Sequence, residues 1–125
     1  MLVKDFENLD VYQLALDLQH RILEVTKSFP KAETYSLTDQ IRRASRSIGA
    51  NIAEAWAKRR YEGHFVSKLS DSDAEQMETR HWLTTAWRDG YIGESECNEL
   101  RAMCFRIGQM LGSMMANSGN WAAPF

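Results

Sequence analysis

The chain has 125 residues, of which 44% are hydrophobic and 26% charged, and its formal net charge is −2. That length and balance suit one globular domain with room for a core, and the small net charge gives no whole-chain electrostatic reason for a nucleic-acid or membrane partner. No apolar run approaches the roughly 18 residues of a membrane span, and Met1-Leu2-Val3-Lys4-Asp5 lacks the basic-then-apolar pattern of a secretion signal, so a cytoplasmic protein is expected.

Two prolines and seven glycines are few breakers for this length, which favours long helices. After a lead-in over residues 1–8, the first helix runs from about Leu9 to Ser28. Val11, Ala15, Leu18, Ile22, Val25 and Phe29 form its stripe, alternating steps of four and three. Asn8 is the expected N-cap, and Pro30 stops the helix, because the residue before a proline avoids α geometry. Residues 30–35 read as a loop. Ser36 opens the second helix with Asp39 three residues on, a capping-box arrangement with Asp in place of Glu. This helix runs to about Arg60 on a core stripe of Leu37, Ile41, Ala44, Ile48, Ile52 and Ala55.

The third helix spans about Glu62 to Asp89, with Gly90 as its C-terminal stop. Phe65, Val66 and Leu69 make one end apolar, and Trp82, Leu83, Ala86 and Trp87 the other. The middle, Ser70 to Gln76, is polar, so this is the least regular of the helices. A turn at Gly90–Gly93 leads to a fourth helix over about Glu94 to Asn117. Leu100, Met103, Cys104, Ile107, Met110, Leu111 and Met114 share one face of it, and Phe105 falls outside. Cys97 and Cys104 stand roughly 10 Å apart along that helix. A disulfide needs Cα atoms within about 7 Å, so both read as reduced, buried thiols. The tail, 118–125, carries Trp121 and Phe125 and reads as loose. The pattern as a whole predicts an all-α, antiparallel, up-down-up-down four-helix bundle occupying the chain as a single domain.

The second helix departs from the usual division into an apolar stripe and a charged face. Opposite its core stripe lie Arg42 and Arg46, then Ala50, Ala53 and Ala57, then Arg60, with Arg43 at the flank. Two readings stand. Alanine suits a helix and the arginines are solvated, or a second subunit covers a small-residue face rimmed by arginine. Residues 36–60 hold six basic residues (Arg42, Arg43, Arg46, Lys58, Arg59, Arg60) against Asp39 and Glu54, a net of +4, while the remaining residues hold nine against fifteen, a net of −6. Such a cluster faces anions, either phosphates or the acids Asp71, Asp73, Glu75 and Glu78 of a neighbour's third helix. Asn51, at the edge of the core stripe, fits a structural role if buried.

The run Gln40-Ile41-Arg42-Arg43-Ala44-Ser45-Arg46-Ser47-Ile48-Gly49-Ala50-Asn51-Ile52-Ala53-Glu54 closely resembles the signature of the bacterial four-helix bundle proteins. These include proteins encoded by intervening sequences in the 23S (large-subunit) ribosomal RNA gene. Leu9-Asp10-Val11-Tyr12, Phe29-Pro30, Glu33 with Tyr35-Ser36-Leu37, Phe65 with Leu69, and Gly90-Tyr91-Ile92 extend the resemblance over nearly the whole chain. The resemblance implies a bundle that assembles into a homopentameric ring. It also implies kinship with the accessory variability determinant of diversity-generating retroelements, a pentamer that binds nucleic acid and a reverse transcriptase. Ala55 stands where the family usually has Gly, and Ser72-Asp73-Ala74-Glu75 replaces an Ala-x-Gly-Ser, although Glu78 and Leu83 keep their places.

Catalytic signals are sparse, and the reading is of a non-enzymatic protein with no cofactor. Asp17-x-x-His20 and Glu78-x-x-His81, with Glu54 and Glu96 or Glu99 on the other helices, mimic the ligand pattern of di-iron bundles, but Asp17 and His20 lie off the core stripe. His64 has no ligand at suitable spacing, and Trp56, Trp82, Trp87 and Trp121 suit a core or interface. With what the resemblance implies, the expected function is a homo-oligomeric interaction protein, a pentameric ring associated with RNA or DNA or with a reverse transcriptase. Arg42, Arg43, Arg46, Lys58, Arg59 and Arg60 are its candidate nucleic-acid contacts. Ala50, Ala53, Ala57, Arg46 and Phe105 are its candidate subunit contacts. Asn51, Glu54 and Glu78 are its structural motif residues. A protein-binding scaffold with no nucleic-acid role is the alternative, and a carboxylate/His metal bundle a remote one.

Overall fold

Steps of four and three between core residues build the molecule, and they recur in every long helix. The computed structural model describes residues 3–121. A 3-10 turn at Phe6–Asn8 leads into α1 (Asp10–Thr26), and a second 3-10 turn at Lys31–Glu33 leads into α2 (Leu37–Ala57). Then follow α3 (Glu62–Arg88), α4 (Glu94–Ala116) and the short α5 (Ser118–Trp121). Among the described residues there is no strand. Each long helix packs on the next, and α1 closes against α4, so α1 and α3, like α2 and α4, stand diagonally opposed.

Contacts between the helices fix their directions. Ser72 Oγ donates to the Ile48 carbonyl at 2.9 Å, and Lys68 Nζ to Asn51 Oδ1 at 3.4 Å, so numbering runs in opposite senses along α2 and α3. The Cys97 thiol donates to the Leu83 carbonyl, and Gly108 lies against Gln76 and Asp73, which sets α4 antiparallel to α3. Arg42 near the start of α2 reaches Thr26 at the end of α1. The bundle is the all-α, up-down-up-down arrangement that the periodicity predicts.

The core is continuous. α1 contributes Val11, Ala15, Leu18 and Ile22, and α4 contributes Cys97, Leu100, Cys104, Ile107, Leu111 and Met114. α2 buries a second row beside its expected stripe, with Thr38, Ser45, Gly49 and Trp56 below 10% exposure. Tyr12 lies over Gly49, where an added Cβ would meet the ring at 3.5 Å. α3 keeps strict spacing through Phe65, Leu69, Ser72, Gln76, Thr79, Leu83 and Ala86, all buried. Within the polar middle that makes α3 look irregular in sequence, Ser72 and Gln76 are therefore core, while Ser70, Asp71 and Ala74 are exposed. Its side chains bond inside the bundle: Ser72 to Ile48, Thr79 to the Glu75 carbonyl, and Gln76 to Asp73 and Arg80. Among the described residues no buried side-chain nitrogen or oxygen lacks a partner, which removes the usual penalty for polar groups in a core.

Several local expectations change. Leu9, not Asn8, is the N-cap residue of α1; Asn8 instead closes a capping box with Asp5 around the preceding 3-10 turn. Ser36 makes no cap bond to Asp39. Glu33 takes that place, accepting from Ser36 Oγ and from the Leu37 N–H at 3.4 Å. Thr26 is buried where Val25 is only half-buried, and its hydroxyl donates back to the Ile22 carbonyl. The tail is ordered at least to Trp121, whose ring meets Trp56 edge-on at 6.3 Å; Phe125 lies outside the described residues. Gly90 does end α3. At φ +81° it takes the left-handed conformation of a Schellman cap, with the Tyr91 N–H on Ala86 and the Gly90 N–H on Trp87.

Two motif segments far apart in sequence meet at one end of the bundle. The Tyr91 phenol donates to Glu33 Oε2 at 2.8 Å, and the Phe29 and Tyr91 rings lie 5.6 Å apart. The α1–α2 loop and the α3–α4 turn are thus tied together, and the α2–α3 turn lies at the other end.

Candidate nucleic-acid interface

Helical periodicity places the basic residues of 36–60 on an outward arc, but α2 ends at Ala57 rather than near Arg60, and their side chains divide into two groups. In the first, Arg42 is half-buried and its Nε donates to Thr26 Oγ1 at 2.8 Å, so it ties α2 to α1. Arg43 is exposed, 4.0 Å from Asp39, and Arg46 is exposed. The second group, Lys58 to Arg60, begins twelve residues beyond Arg46, roughly 18 Å along the axis. Arg59 folds back, its guanidinium 3.8 Å from the centre of the Trp56 ring and bonded to the Trp56 carbonyl. Lys58 and Arg60 stay exposed. They line a cavity of about 380 Å³ with Ala57, Tyr61 and His64. Sequence reading treats His64 as isolated and passes over Tyr61. The available signal is three basic residues, an aromatic and a histidine within seven positions.

Between the two groups, Ala50 and Ala57 are exposed and Ala53 half-buried, so the small-residue face points outward. Asn51 is half-buried, its Nδ2 donating to the Ser47 carbonyl and its Oδ1 accepting from Lys68. Glu54 holds Lys68 at 2.7 Å, and Asp71 reaches the same ammonium at 3.7 Å. The Lys68 hydrogen bond holds the Glu54 carboxyl below its ordinary range, and Glu54 in turn raises Lys68. These motif residues therefore clamp α2 to α3, and Glu54 and Lys68 neutralise each other.

Of the acids of α3, Asp71, Glu75 and Glu78 share one face, and Asp73 stands apart from it. Asp71 faces Lys68, and Asp73 accepts from Gln76. Glu75 is half-buried, and burial, with Glu78 and Asp71 nearby, pushes its carboxyl up. Glu78 is exposed and accepts from the Trp82 indole at 3.3 Å. On α4, Phe105 is 50% exposed beneath the Arg80 guanidinium, 4.2 Å from its ring centre.

The di-iron pattern does not assemble. Asp17, His20, Glu78 and His81 are all exposed, Glu96 and Glu99 turn to Arg21, and Glu54 turns to Lys68. Among the described residues no three His, Cys, Asp or Glu side chains converge as metal ligands. Both cysteines are free and buried, and burial pushes the Cys104 thiol up to about 12, which keeps it in the unreactive thiol form. A largely apolar cavity of about 400 Å³, lined in part by Val3, Leu9, Met110, Met114 and Trp121, carries none of the basic residues. Among the described residues no helix is long and apolar enough to cross a membrane.

Comparison with known proteins bears on this geometry. The model of a family described as 23S rRNA-intervening sequence protein matches residues 7–113. A solved structure from Bacteroides thetaiotaomicron, a protein of unknown function from the S23 ribosomal protein family, is similar at 28% identity and a TM-score of 0.78. The match covers 85% of this chain and 95% of that one. No curated protein matches the chain.

Proposed function

The chain belongs to the 23S rRNA-intervening sequence protein family, and from that premise we propose that it works by assembly and binding rather than catalysis. The reading is of a cytoplasmic homopentameric ring that holds nucleic acid on basic residues of α2 and of the turn after it. The observation that supports it most is the charge division. Residues 36–60 carry a net +4 in a chain of net −2, and Arg43, Arg46, Lys58 and Arg60 are exposed. Ala50 and Ala57 on α2 and Phe105 on α4 are also exposed, on diagonally opposed helices. Two different patches are what a head-to-tail ring contact uses. A ring repeats a weak basic patch around its axis and so gains avidity without new contacts.

Light scattering at micromolar concentration is expected to give five times the chain mass, and a monomer would overturn the ring. Binding to a structured RNA is expected to weaken as salt rises, with log K falling by about 0.7–0.9 per phosphate neutralised for each unit of log salt. Arg43→Glu with Arg46→Glu is expected to lower RNA affinity about ten-fold at low salt, with helix content unchanged. Arg42 is left intact in that variant because its bond to Thr26 serves the fold. No binding at low salt, or binding indifferent to salt, removes the nucleic-acid part and leaves a ring that serves another protein. Loss of the oligomer in the double variant assigns Arg43 and Arg46 to the subunit contact.

A further inference from the structure

The turn between α2 and α3 brings two kinds of chemistry into one cavity. The Lys58 N–H bonds to the carbonyls of Glu54 and Ala55, the Tyr61 N–H to Lys58 at 2.9 Å, and the Phe65 N–H to Tyr61, so the turn is tied to the helices on both sides. The cavity of about 380 Å³ is lined by Ala57, Lys58, Arg60, Tyr61 and His64. That volume lies within the range of small-ligand sites, and none of its lining residues is a carboxylate. The neighbouring acids each have a partner of their own, although Glu54 lies within electrostatic reach of Lys58 and Asp71 shares an adjoining depression with Lys58 and His64. Glu62 accepts from Ser118 Oγ at 2.7 Å, and Glu54 and Asp71 hold Lys68. Lys58 and Arg60 therefore bring two positive charges to a cavity whose lining holds no carboxylate. Beside them stand two open rings. Tyr61 is 58% exposed, and its ring lies 5.5 Å from that of His64. The Arg60 guanidinium is 5.8 Å from the Tyr61 ring centre.

Two cations draw an anion, and an exposed aromatic face takes a flat ring by stacking. We infer that the α2–α3 corner is a nucleotide pocket, with the phosphate between Lys58 and Arg60 and the base against Tyr61 and His64. A free nucleotide and an unpaired nucleotide of an RNA strand share this chemistry. A base within a duplex does not, because both its faces are already stacked. Only the RNA source rests on the nucleic-acid reading of α2; the pocket itself does not.

The probes are adenosine 5′-monophosphate, inorganic phosphate, and single-stranded and duplex RNA of equal length. In an NMR titration, the monophosphate is expected to shift the Tyr61 and His64 ring signals saturably, and phosphate alone to bind more weakly. Tyr61→Ala and Arg60→Ala replace exposed side chains and are expected to keep the wild-type melting temperature. Each is expected to weaken monophosphate binding, and binding of the single strand over the duplex, about ten-fold. Phosphate binding as tightly as the monophosphate would overturn the stacking half and leave a plain anion site. Absence of any shift would overturn the pocket, even if structured RNA still bound through Arg43 and Arg46, in which case the broader reading would stand. Monophosphate binding without RNA binding would support the pocket with a free nucleotide as its ligand and sink the nucleic-acid reading of α2.

Discussion

The Glu33 carboxylate accepts from donors on two separate parts of the chain, the Ser36 hydroxyl and Leu37 N–H on one side and the Tyr91 phenol on the other. The Ser36 and Tyr91 bonds hold its carboxyl below the ordinary value. A folded pKa depressed below the unfolded one contributes stability that is present above the unfolded pKa, near 4.5, and is lost as pH falls through the lower folded value. Glu33→Gln is therefore expected to lower the melting temperature at pH 7. The gap from wild type should close as both proteins are acidified below pH 4.5, and a gap that persists undiminished into acid would show that the charge of Glu33 is not what matters. At the same scale, adjacent cations have different occupations. Arg59 is spent on Trp56 while Lys58 and Arg60 face a cavity. Nothing in their order reveals that, because three successive residues of a tight turn leave the backbone in different directions.

At the scale of the element, α3 and α4 show what periodicity discloses. The four helices, the Gly90 stop and most core stripes are legible because apolar residues recur at helical spacing. The middle of α3 is hidden because Ser72, Gln76 and Thr79 occupy core positions without being apolar, and only their internal partners show that they belong there. The basic arc of α2 is legible as a face. Its division into an Arg42 that ties α2 to α1, exposed arginines and a lined cavity is not, since spacing gives the direction of a Cβ and not the reach of a long side chain. α4 offers a paired test of packing against propensity. A Cβ at Gly112 would meet no atom within 4 Å, whereas one at Gly108 would lie 2.8 Å from Gln76 Nε2 and 3.3 Å from Asp73 Oδ1. Gly112→Ala is expected to raise stability to chemical denaturation by about 0.5–1 kcal/mol. Gly108→Ala is expected to gain nothing or lose stability, because its methyl displaces the buried Gln76 amide. Equal gains from both would mean that Gln76 yields freely.

For the whole molecule, the proposed ring makes stability a property of concentration. A chain that assembles only when folded gains stability by mass action, so the melting temperature is expected to rise with protein concentration across the micromolar range, and a value independent of concentration would count against assembly. The bundle itself is held from several directions: Arg42 to Thr26 between α1 and α2, Glu54 to Lys68 between α2 and α3, Arg101 to Thr84 between α3 and α4, and Arg21 to Glu99 between α1 and α4. The polar layer of α3 adds a constraint of another kind. Hydrophobic faces with a repeating pattern can slide past one another and still bury their leucines. A slip of α3 by one repeat, about 10 Å, would set Phe65 or Thr79 beside Ile48 and take the Ser72 hydroxyl away from the carbonyl it meets in the native alignment. Gln76 would lose its place opposite Gly108, where the missing side chain leaves room for its amide. Thr79 and Gln76 would keep their hydrogen bonds, which lie within α3, so the Ser72 bond to α2 and the fit of Gln76 against Gly108 are what number the layers of an otherwise repetitive core.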